Sequence, residues 1–182
     1  MKKAVVLLAE GFEEVEAVTP VDLLRRAGIE VVIAGIGSAS VTGARGITIS
    51  ADSSIDTVKP EFDAVIIPGG GGGAENIAKS AAASNLIRKI WKEGGLVAAI
   101  CASPAVVLAP LGILSGKKAV CYPGLEGKLT GAIHTDASVV RDGTVITGKG
   151  PGTAFDFALA IIEYLNGKKE ADQVRNATKY GI

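Results

Sequence analysis

The sequence predicts an α/β fold in which an open, mostly parallel sheet carries helices on both faces. Three observations point there. Short continuous apolar runs recur along the chain, alternating little, as strands buried on both faces do. Between them lie segments with the 3.6-residue apolar period of helices. Glycine and proline punctuate the joins, and 24 of the 182 residues are glycine. Strand–helix alternation of this kind builds a parallel sheet through right-handed crossovers.

Taken in order, Ala4–Ala9 is the first strand. The preceding Met1-Lys2-Lys3 imitates the basic start of a signal peptide, but only six apolar residues follow before Glu10. That run is too short for export or for crossing a bilayer, so a buried strand and a cytoplasmic protein are expected. Thr19–Ala27 is helical and Gly28 stops it. Ile29–Ala34 is the second strand, Ile47–Ser50 a short edge strand and Phe62–Ile67 the third core strand, ended by Pro68 and Gly69–Gly73. Glu75–Glu93 is helical with a break near Ser84, and Gly94-Gly95 closes it. Leu96–Ile100 is the fourth core strand and runs directly into Cys101. Pro104–Leu111 is predicted as a helix with proline in its first turn, where a missing N–H costs nothing. Lys117–Cys121, Ala137–Arg141 and Thr144–Thr147 are later strands, the last two joined by the hairpin signal Asp142-Gly143. Thr153–Leu165 and Glu170–Lys179 complete the helices. No linker or repeat interrupts residues 1–182, so a single domain is expected.

Composition excludes several classes of function. Nineteen basic residues balance nineteen acidic ones, leaving no global field for duplex nucleic acid or an anionic membrane. A 48% hydrophobic content is incompatible with intrinsic disorder. Two cysteines, Cys101 and Cys121, are too few for a disulfide scaffold. With a single histidine, His134, and no HExxH or CxxC, no zinc site is expected.

Cys101 is the sharpest chemical feature. A residue at a strand-to-helix junction points out of the carboxyl edge of the sheet, toward the free N–H groups of the following helix. Those groups and the helix dipole favour thiolate over thiol. Ala102 and Ser103 are small enough for a tight turn. Cys121 lacks such a context and is expected to pack as a small hydrophobe. Glu13-Glu14-Val15-Glu16 follows the first strand, so its loop opens at the same sheet edge. Three acids near a helix start also suit its dipole, and composition alone does not choose Glu16 over Glu13 and Glu14. Gly69–Ala74 formally fits the dinucleotide pattern G-x-G-x-x-A. The acidic residue that should end the next strand is missing, because that strand ends in Cys101. Either the glycines make a flexible turn, or N–H groups of Gly69 or Gly70 join that of Ala102 as donors to an oxyanion. His134 lies in a loop with no reason to meet Cys101 and is expected to face solvent.

These residues resemble a known family. Leu7–Glu16, Pro20–Gly28, Pro68-Gly69-Gly70, Ala98–Pro104 and Gly150–Leu159 are similar, in order and over nearly the whole chain, to the ThiJ/PfpI superfamily. Within it they resemble the branch of the Parkinson-disease protein deglycase and its bacterial homologues. The resemblance implies a flavodoxin-like three-layer sandwich of the class I glutamine amidotransferase type, and a homodimer. It implies Cys101 as the reactive nucleophile, Glu16 as the carboxyl hydrogen-bonded to it, and Gly69, Gly70 and Ala102 as the backbone donors nearby. Arg26 and Arg45 match arginines near the site at the dimer interface, and Asp22 matches a buried acid close to the pocket. Tyr122, ahead of Pro123, replaces a histidine of the better-known member, so a histidine base does not carry over. Ala102 replaces the histidine that follows the cysteine in protease-like and glyoxalase-like branches, which argues against peptidase activity.

The implied activity is that of a deglycase or glyoxalase needing no metal or organic cofactor. Its substrates would be methylglyoxal, glyoxal and their early adducts on proteins or nucleotides. The alternative is a redox-sensing stress protein or chaperone whose cysteine is oxidised to sulfinic acid without turnover.

Overall fold

A computed structural model describes residues 1–59 and 61–181. The chain opens with β1 (Lys3–Leu8), α1 (Glu14–Arg26) and β2 (Glu30–Gly35). A hairpin of β3 (Ser40–Thr42) and β4 (Thr48–Ser50) follows, then the two-residue β5 (Ser53–Ser54) and β6 (Ala64–Ile67). Next come α2 (Gly71–Lys79), α3 (Ala81–Lys92) and β7 (Leu96–Ile100), then β8 (Lys118–Ala119) and β9 (Ile133–His134). The chain ends with β10 (Val139–Asp142), β11 (Val145–Gly148), α4 (Ala154–Asn166) and α5 (Lys168–Thr178).

Seven strands form the main sheet in the order β10-β11-β7-β6-β1-β2-β5. Every neighbouring pair is parallel except the hairpin β10–β11. The apolar runs explain why: β1 beyond Lys3, and all of β6 and β7, are buried. Val5 registers with Val32 on one side and Val65 on the other, and Val65 with Val97. From β1 the chain steps to β2 and β5 on one side, then returns to β6 and β7 on the other. Right-handed crossovers in opposite directions place helices on opposite faces. Accordingly α1 packs with α4 and α4 with α5, whereas α2 packs with α3 and with the turn after Cys101. The result is the predicted three-layer α/β sandwich. The order reverses between β1 and β6, and the cleft above the carboxyl ends at such a switch point is where open sheets bind ligands.

Several boundaries differ from those predicted. Helix α1 starts at Glu14 rather than Thr19 and carries Pro20 inside it. The break between α2 and α3 is at Ser80, whose Oγ accepts the Ala83 N–H at 3.2 Å, not near Ser84. Residues 48–50 pair with β3 away from the main sheet, and β5 supplies the edge instead. Of Lys117–Cys121 only Lys118–Ala119 is a strand, and it pairs with β9 in a separate two-stranded sheet. Pro104–Leu108 is one π-helical turn rather than an α-helix to Leu111, with the Ala109 N–H reaching the Pro104 carbonyl five residues back at 3.0 Å. In the β10–β11 hairpin Asp142 pairs with Val145, so Gly143-Thr144 makes the turn, with Gly143 at φ +62°.

The link from β6 to α2 depends on Gly70. Its φ of +83° is in the left-handed region, and a Cβ there would collide with the Gly11 carbonyl oxygen. Gly70→Ala is therefore expected to destabilise the protein by at least about 2 kcal/mol, measured as a shifted denaturation midpoint. Gly71→Ala, with nothing near its Cβ position and no positive φ, is the control that should change little.

Candidate active site

Three loops meet at the switch point. The β1–α1 segment supplies Glu13 and Glu16, the β6–α2 segment supplies Pro68-Gly69-Gly70, and the turn after β7 supplies Cys101-Ala102-Ser103. Each is locked to the others by backbone bonds. The Glu13 N–H donates to the Gly69 carbonyl at 3.0 Å, and Ser103 Oγ donates to the Pro68 carbonyl at 2.5 Å. Cys101 is held from both sides, its N–H donating to the Gly148 carbonyl at 2.9 Å and its carbonyl accepting the Tyr122 N–H at 2.8 Å. Its φ is +64°, a left-handed conformation rare for residues other than glycine and found where function over-determines the backbone. The strand thus turns sharply and presents the side chain at the sheet edge, as nucleophile-bearing strand-to-helix turns do.

Glu16 is fully buried and Cys101 is 8% exposed. Glu16 Oε2 accepts the Gly69 N–H at 2.8 Å, and the carboxyl is in hydrogen-bonding contact with the Cys101 thiol. Oε1 is buried without a partner. Only glycine fits at 69, because a Cβ there would lie 2.6 Å from both Cys101 Cβ and Glu16 Oε2. The Gly70 and Ala102 N–H groups lie near the Cys101 sulfur and favour its charged form.

Burial dominates the electrostatics of this pair. It pushes the Glu16 carboxyl up to about 7, against the hydrogen bonds from Cys101 and Gly69. Burial likewise pushes the Cys101 thiol up to about 12, with the Glu16 charge and hydrogen bond adding to it and the Gly70 and Ala102 N–H groups opposing. The expectation of a thiolate stabilised by a helix dipole is thereby corrected. The following helix is a single π-turn of five residues, and desolvation outweighs the N–H donors. The first negative charge on the pair therefore goes to Glu16, which is about half ionised near neutral pH.

The cleft above the thiol has a volume of about 430 Å³ and is walled by Glu13, Arg45, Gly70, Ala102, Tyr122 and Leu125, among others. Tyr122 is 48% exposed on the rim, its ring beside Gly150. The structure therefore brings together Cys101, Glu16, Gly69, Gly70, Ala102, Arg45 and Tyr122. Gly69 contributes shape, not an oxyanion donor, since its N–H is already taken by Glu16. Asp22 and Arg26 stand apart: both are exposed on α1 and pair with each other at 2.8 Å. Asp22, which the resemblance implied as a buried acid, is half-exposed in the single chain. His134 is exposed, in β9. Cys121 is 2% exposed within the core, its thiol pushed up to about 11 by burial and then by Glu126. Among the described residues, no three His, Cys, Asp or Glu side chains gather as a metal site, and no helix is long and apolar enough to cross a membrane.

Sequence reasoning missed Glu14. It is 5% exposed, and Oε1 accepts the Arg45 N–H at 2.6 Å and the Ile47 N–H at 3.3 Å. Its partners lie more than thirty residues away, so no local pattern marks it.

Comparison with known proteins places this geometry in context. Residues 2–164 match the model of the DJ-1/PfpI family. The chain is 43% identical to the Parkinson disease protein 7 homolog of Danio rerio over 96% of this chain and 95% of that one. It is 40% identical to the glutathione-independent glyoxalase DJR-1.2 of Caenorhabditis elegans, over 95% and 94% of the two chains. The solved structure of oxidized Toxoplasma gondii DJ-1 superposes with a TM-score of 0.96 at 39% identity, covering all of both chains.

Two outcomes follow from the Glu16–Cys101 pair. Because the folded carboxyl titrates above its ordinary value, the stability it contributes is fully present below pH 4.5 and lost as pH rises through about 7. That displacement is worth up to about 3 kcal/mol. Glu16→Gln should therefore gain stability relative to the wild type at pH 8 and not at pH 4.5, read from denaturation at the two pH values. Secondly, alkylation of Cys101 by iodoacetamide should rise through an inflection near pH 7, the first titration of the pair. In Glu16→Gln that inflection should vanish, leaving a rise only at higher pH; a variant that keeps it would remove Glu16 from the thiol's chemistry.

Proposed function

The chain belongs to the DJ-1/PfpI family, and on that premise we propose that it is a cofactor-independent, cysteine-dependent glyoxalase-type enzyme. Its substrates would be methylglyoxal or glyoxal and their early adducts. The observation that carries the reading is a strained, cleft-facing Cys101 in contact with a carboxyl whose pKa burial has raised to about 7.

An ordinary carboxylate is too weak a base to take a thiol proton. Glu16 at about 7 is instead present in both its forms near neutral pH, as a group that must accept and then return a proton has to be. As sulfur bonds to the aldehyde carbon of methylglyoxal, the thiol proton passes to Glu16 and the carbonyl oxygen becomes an alkoxide. The Gly70 and Ala102 N–H groups, already aimed at the sulfur, lie beside that oxygen and stabilise it. Protonation gives a hemithioacetal. Removing the proton from the former aldehyde carbon and delivering one to the ketone carbon then oxidises the first carbon and reduces the second. No outside electron carrier is needed. The product is a lactoyl thioester on Cys101, and water releases lactate and restores the thiol. Adducts on protein or nucleotide amino and thiol groups would enter at the same carbonyl carbon, which would make the enzyme a deglycase. A peptidase reading lacks support, because no histidine stands beside Cys101.

A second reading draws on the same N–H donors. Two peroxide equivalents would convert the thiol through sulfenic to sulfinic acid. The Gly70 and Ala102 N–H groups and a protonated Glu16 would hold the new oxygens, making the protein a redox sensor or chaperone without turnover.

The dimer implied by the resemblance also belongs here. Val15 and Val18 are 49% and 48% exposed on the α1 face that carries Asp22 and Arg26, and Ile47 beside Arg45 is 57% exposed. A second copy covering this stripe would bring Asp22 and Arg26 to an interface.

Lactate formation from methylglyoxal, followed by coupled detection, should be abolished by Cys101→Ser and reduced at least about 100-fold by Glu16→Ala. No cysteine-dependent lactate would reject the enzyme reading. Intact mass after mild peroxide then separates the second: a gain of two oxygens, absent in Cys101→Ser, supports the sensor, and unchanged mass rejects it. Val18→Asp should shift the protein from dimer to monomer in sedimentation if α1 forms the interface.

A further inference from the structure

One buried charge has no part in the chemistry above. Glu14 sits one helical residue past Glu13, whose side chain reaches the cleft, and two before Glu16, which reaches the thiol. Its own carboxyl points to the hairpin tip at residues 43–47. That tip is a closed turn, with the Gly43 N–H donating to the Ile47 carbonyl at 2.9 Å and the Gly46 N–H to the Gly43 carbonyl at 3.1 Å. It is fastened to the β1–α1 segment at each step. Thr42 N–H donates to Glu10 Oε2 at 3.0 Å, Gly11 N–H to the Thr42 carbonyl at 2.8 Å, and Ala44 N–H to the Phe12 carbonyl at 2.8 Å. Glu14 Oε1 completes the series by accepting from Arg45 and Ile47. The fit leaves no room for a side chain at Gly43, whose Cβ would fall on the Glu14 carboxyl.

A carboxylate is an expensive way to hold two N–H groups. Glu14 Oε2 is buried with no partner, and an unpaired charged oxygen away from water costs free energy. Desolvation works against the charge, yet the N–H groups of Glu14, Arg45 and Ile47, with the Arg45 charge, hold the carboxyl below its ordinary range. The residue so anchored is the single cation among the cleft's described lining residues. Among the described residues the Arg45 guanidinium enters no ion pair, and its one hydrogen bond runs 3.4 Å from Nη1 to the Ala44 carbonyl.

We propose that Glu14 is a positioning residue: it fixes the 43–47 turn so that Arg45 stands at the mouth of the Cys101 cleft and favours anionic electrophiles at the thiol. Applied to substrates, this rests on the carbonyl chemistry proposed above and names carbonyl compounds bearing a carboxylate or similar anion as the preferred class. Applied to the thiol, it stands without that reading. Glu13 lines the same cleft with opposite charge, so the preference depends on where Arg45 is held, not on net charge.

The test compares two alkylating reagents of similar size that attack the same sulfur, anionic iodoacetate and neutral iodoacetamide, at fixed pH and low ionic strength. Their rate ratio reports charge at the cleft mouth and cancels any general change in thiol reactivity or folding. Arg45→Gln should lower the iodoacetate-to-iodoacetamide ratio by about three- to ten-fold, and added salt should erase the wild-type preference. Glu14→Ala should lower it by a similar factor. Glu14→Gln keeps an acceptor for the two N–H groups and should retain most of it. Should Glu14→Ala fail to fold, Gly43→Ala displaces the same carboxyl without deleting it and should lower the ratio. An unchanged ratio in Arg45→Gln, or in Glu14→Ala and Gly43→Ala while Arg45→Gln shifts it, overturns the proposal. Methylglyoxal turnover is read separately, so absent lactate with a shifted ratio would reject the enzyme reading and leave this one standing.

Discussion

The structure around the switch point depends on one contact, the fully buried Glu16 carboxyl against the Cys101 thiol. Burying a carboxyl is costly unless its oxygens are bonded or its proton is kept, and here both devices operate. Gly69 N–H donates to Oε2, and the raised pKa of about 7 lets the group keep its proton until pH approaches neutrality. The contact dictates its surroundings. Residue 69 must lack a Cβ, because the space it would fill belongs to sulfur and carboxylate. Helix α1 must begin before Glu16 so that its first turn aims the side chain under β6. Within the glycine run that fits a nucleotide-binding pattern, Gly69 gives clearance to the acid and the thiol, and Gly70 and Gly73 give it to the Gly11–Phe12 backbone.

The second constraint is the backbone of Cys101. A left-handed φ at a non-glycine residue costs about 1–3 kcal/mol, and the surrounding sheet must hold it. The clamp is visible: Gly148 at the end of β11 takes the cysteine N–H, and Tyr122 supplies a donor to its carbonyl. Ser103 then ties the turn to Pro68. These bonds come from three separate segments, so the strain is spread over the sheet edge and does not relax at one hinge. Release into a π-turn instead of a regular helix lets the chain leave the sharp bend at once.

How much of this was legible in the sequence follows from range. The core strands were legible, because burial on both faces writes a continuous apolar run into the residues themselves; β1, β6 and β7 lie within a residue or two of their predicted limits. Cys101 was legible because its position at a strand end is local. Glu16 was not separable from Glu13 and Glu14 by composition, and only the family resemblance pointed to it. The structure shows why: three neighbouring acids of one type go to three destinations, the cleft, the hairpin turn and the thiol. Each destination is set by residues 31 to 85 positions away. Burial hid the sign of the thiol's shift for the same reason. A strand-end cysteine before a helix predicts a lowered pKa, whereas desolvation, which no local pattern displays, raises it. Asp22 shows the converse limit, since a motif position transferred from relatives lies exposed on this chain and pairs with Arg26.

Tyr122 on the cleft rim, where the resemblance implied a histidine in the better-known member, sharpens what Glu16 must do in the proposed reaction. With no imidazole on the cleft rim, one carboxyl has to accept the thiol proton as sulfur attacks and return a proton as the adduct rearranges. A group can serve in both directions only when its pKa lies near the working pH, since otherwise one of its two forms is scarce. An exposed glutamate near 4.5 would be almost wholly ionised at neutral pH and a poor donor. A fully desolvated one without hydrogen bonds would be almost wholly protonated and a poor acceptor. Glu16 lies between, because burial raises it and the Gly69 and Cys101 hydrogen bonds pull it part of the way back, to about 7. The single N–H of Gly69 is thus as much a part of the proton balance as the carboxyl itself, and the absence of a Cβ at that glycine is what lets it approach.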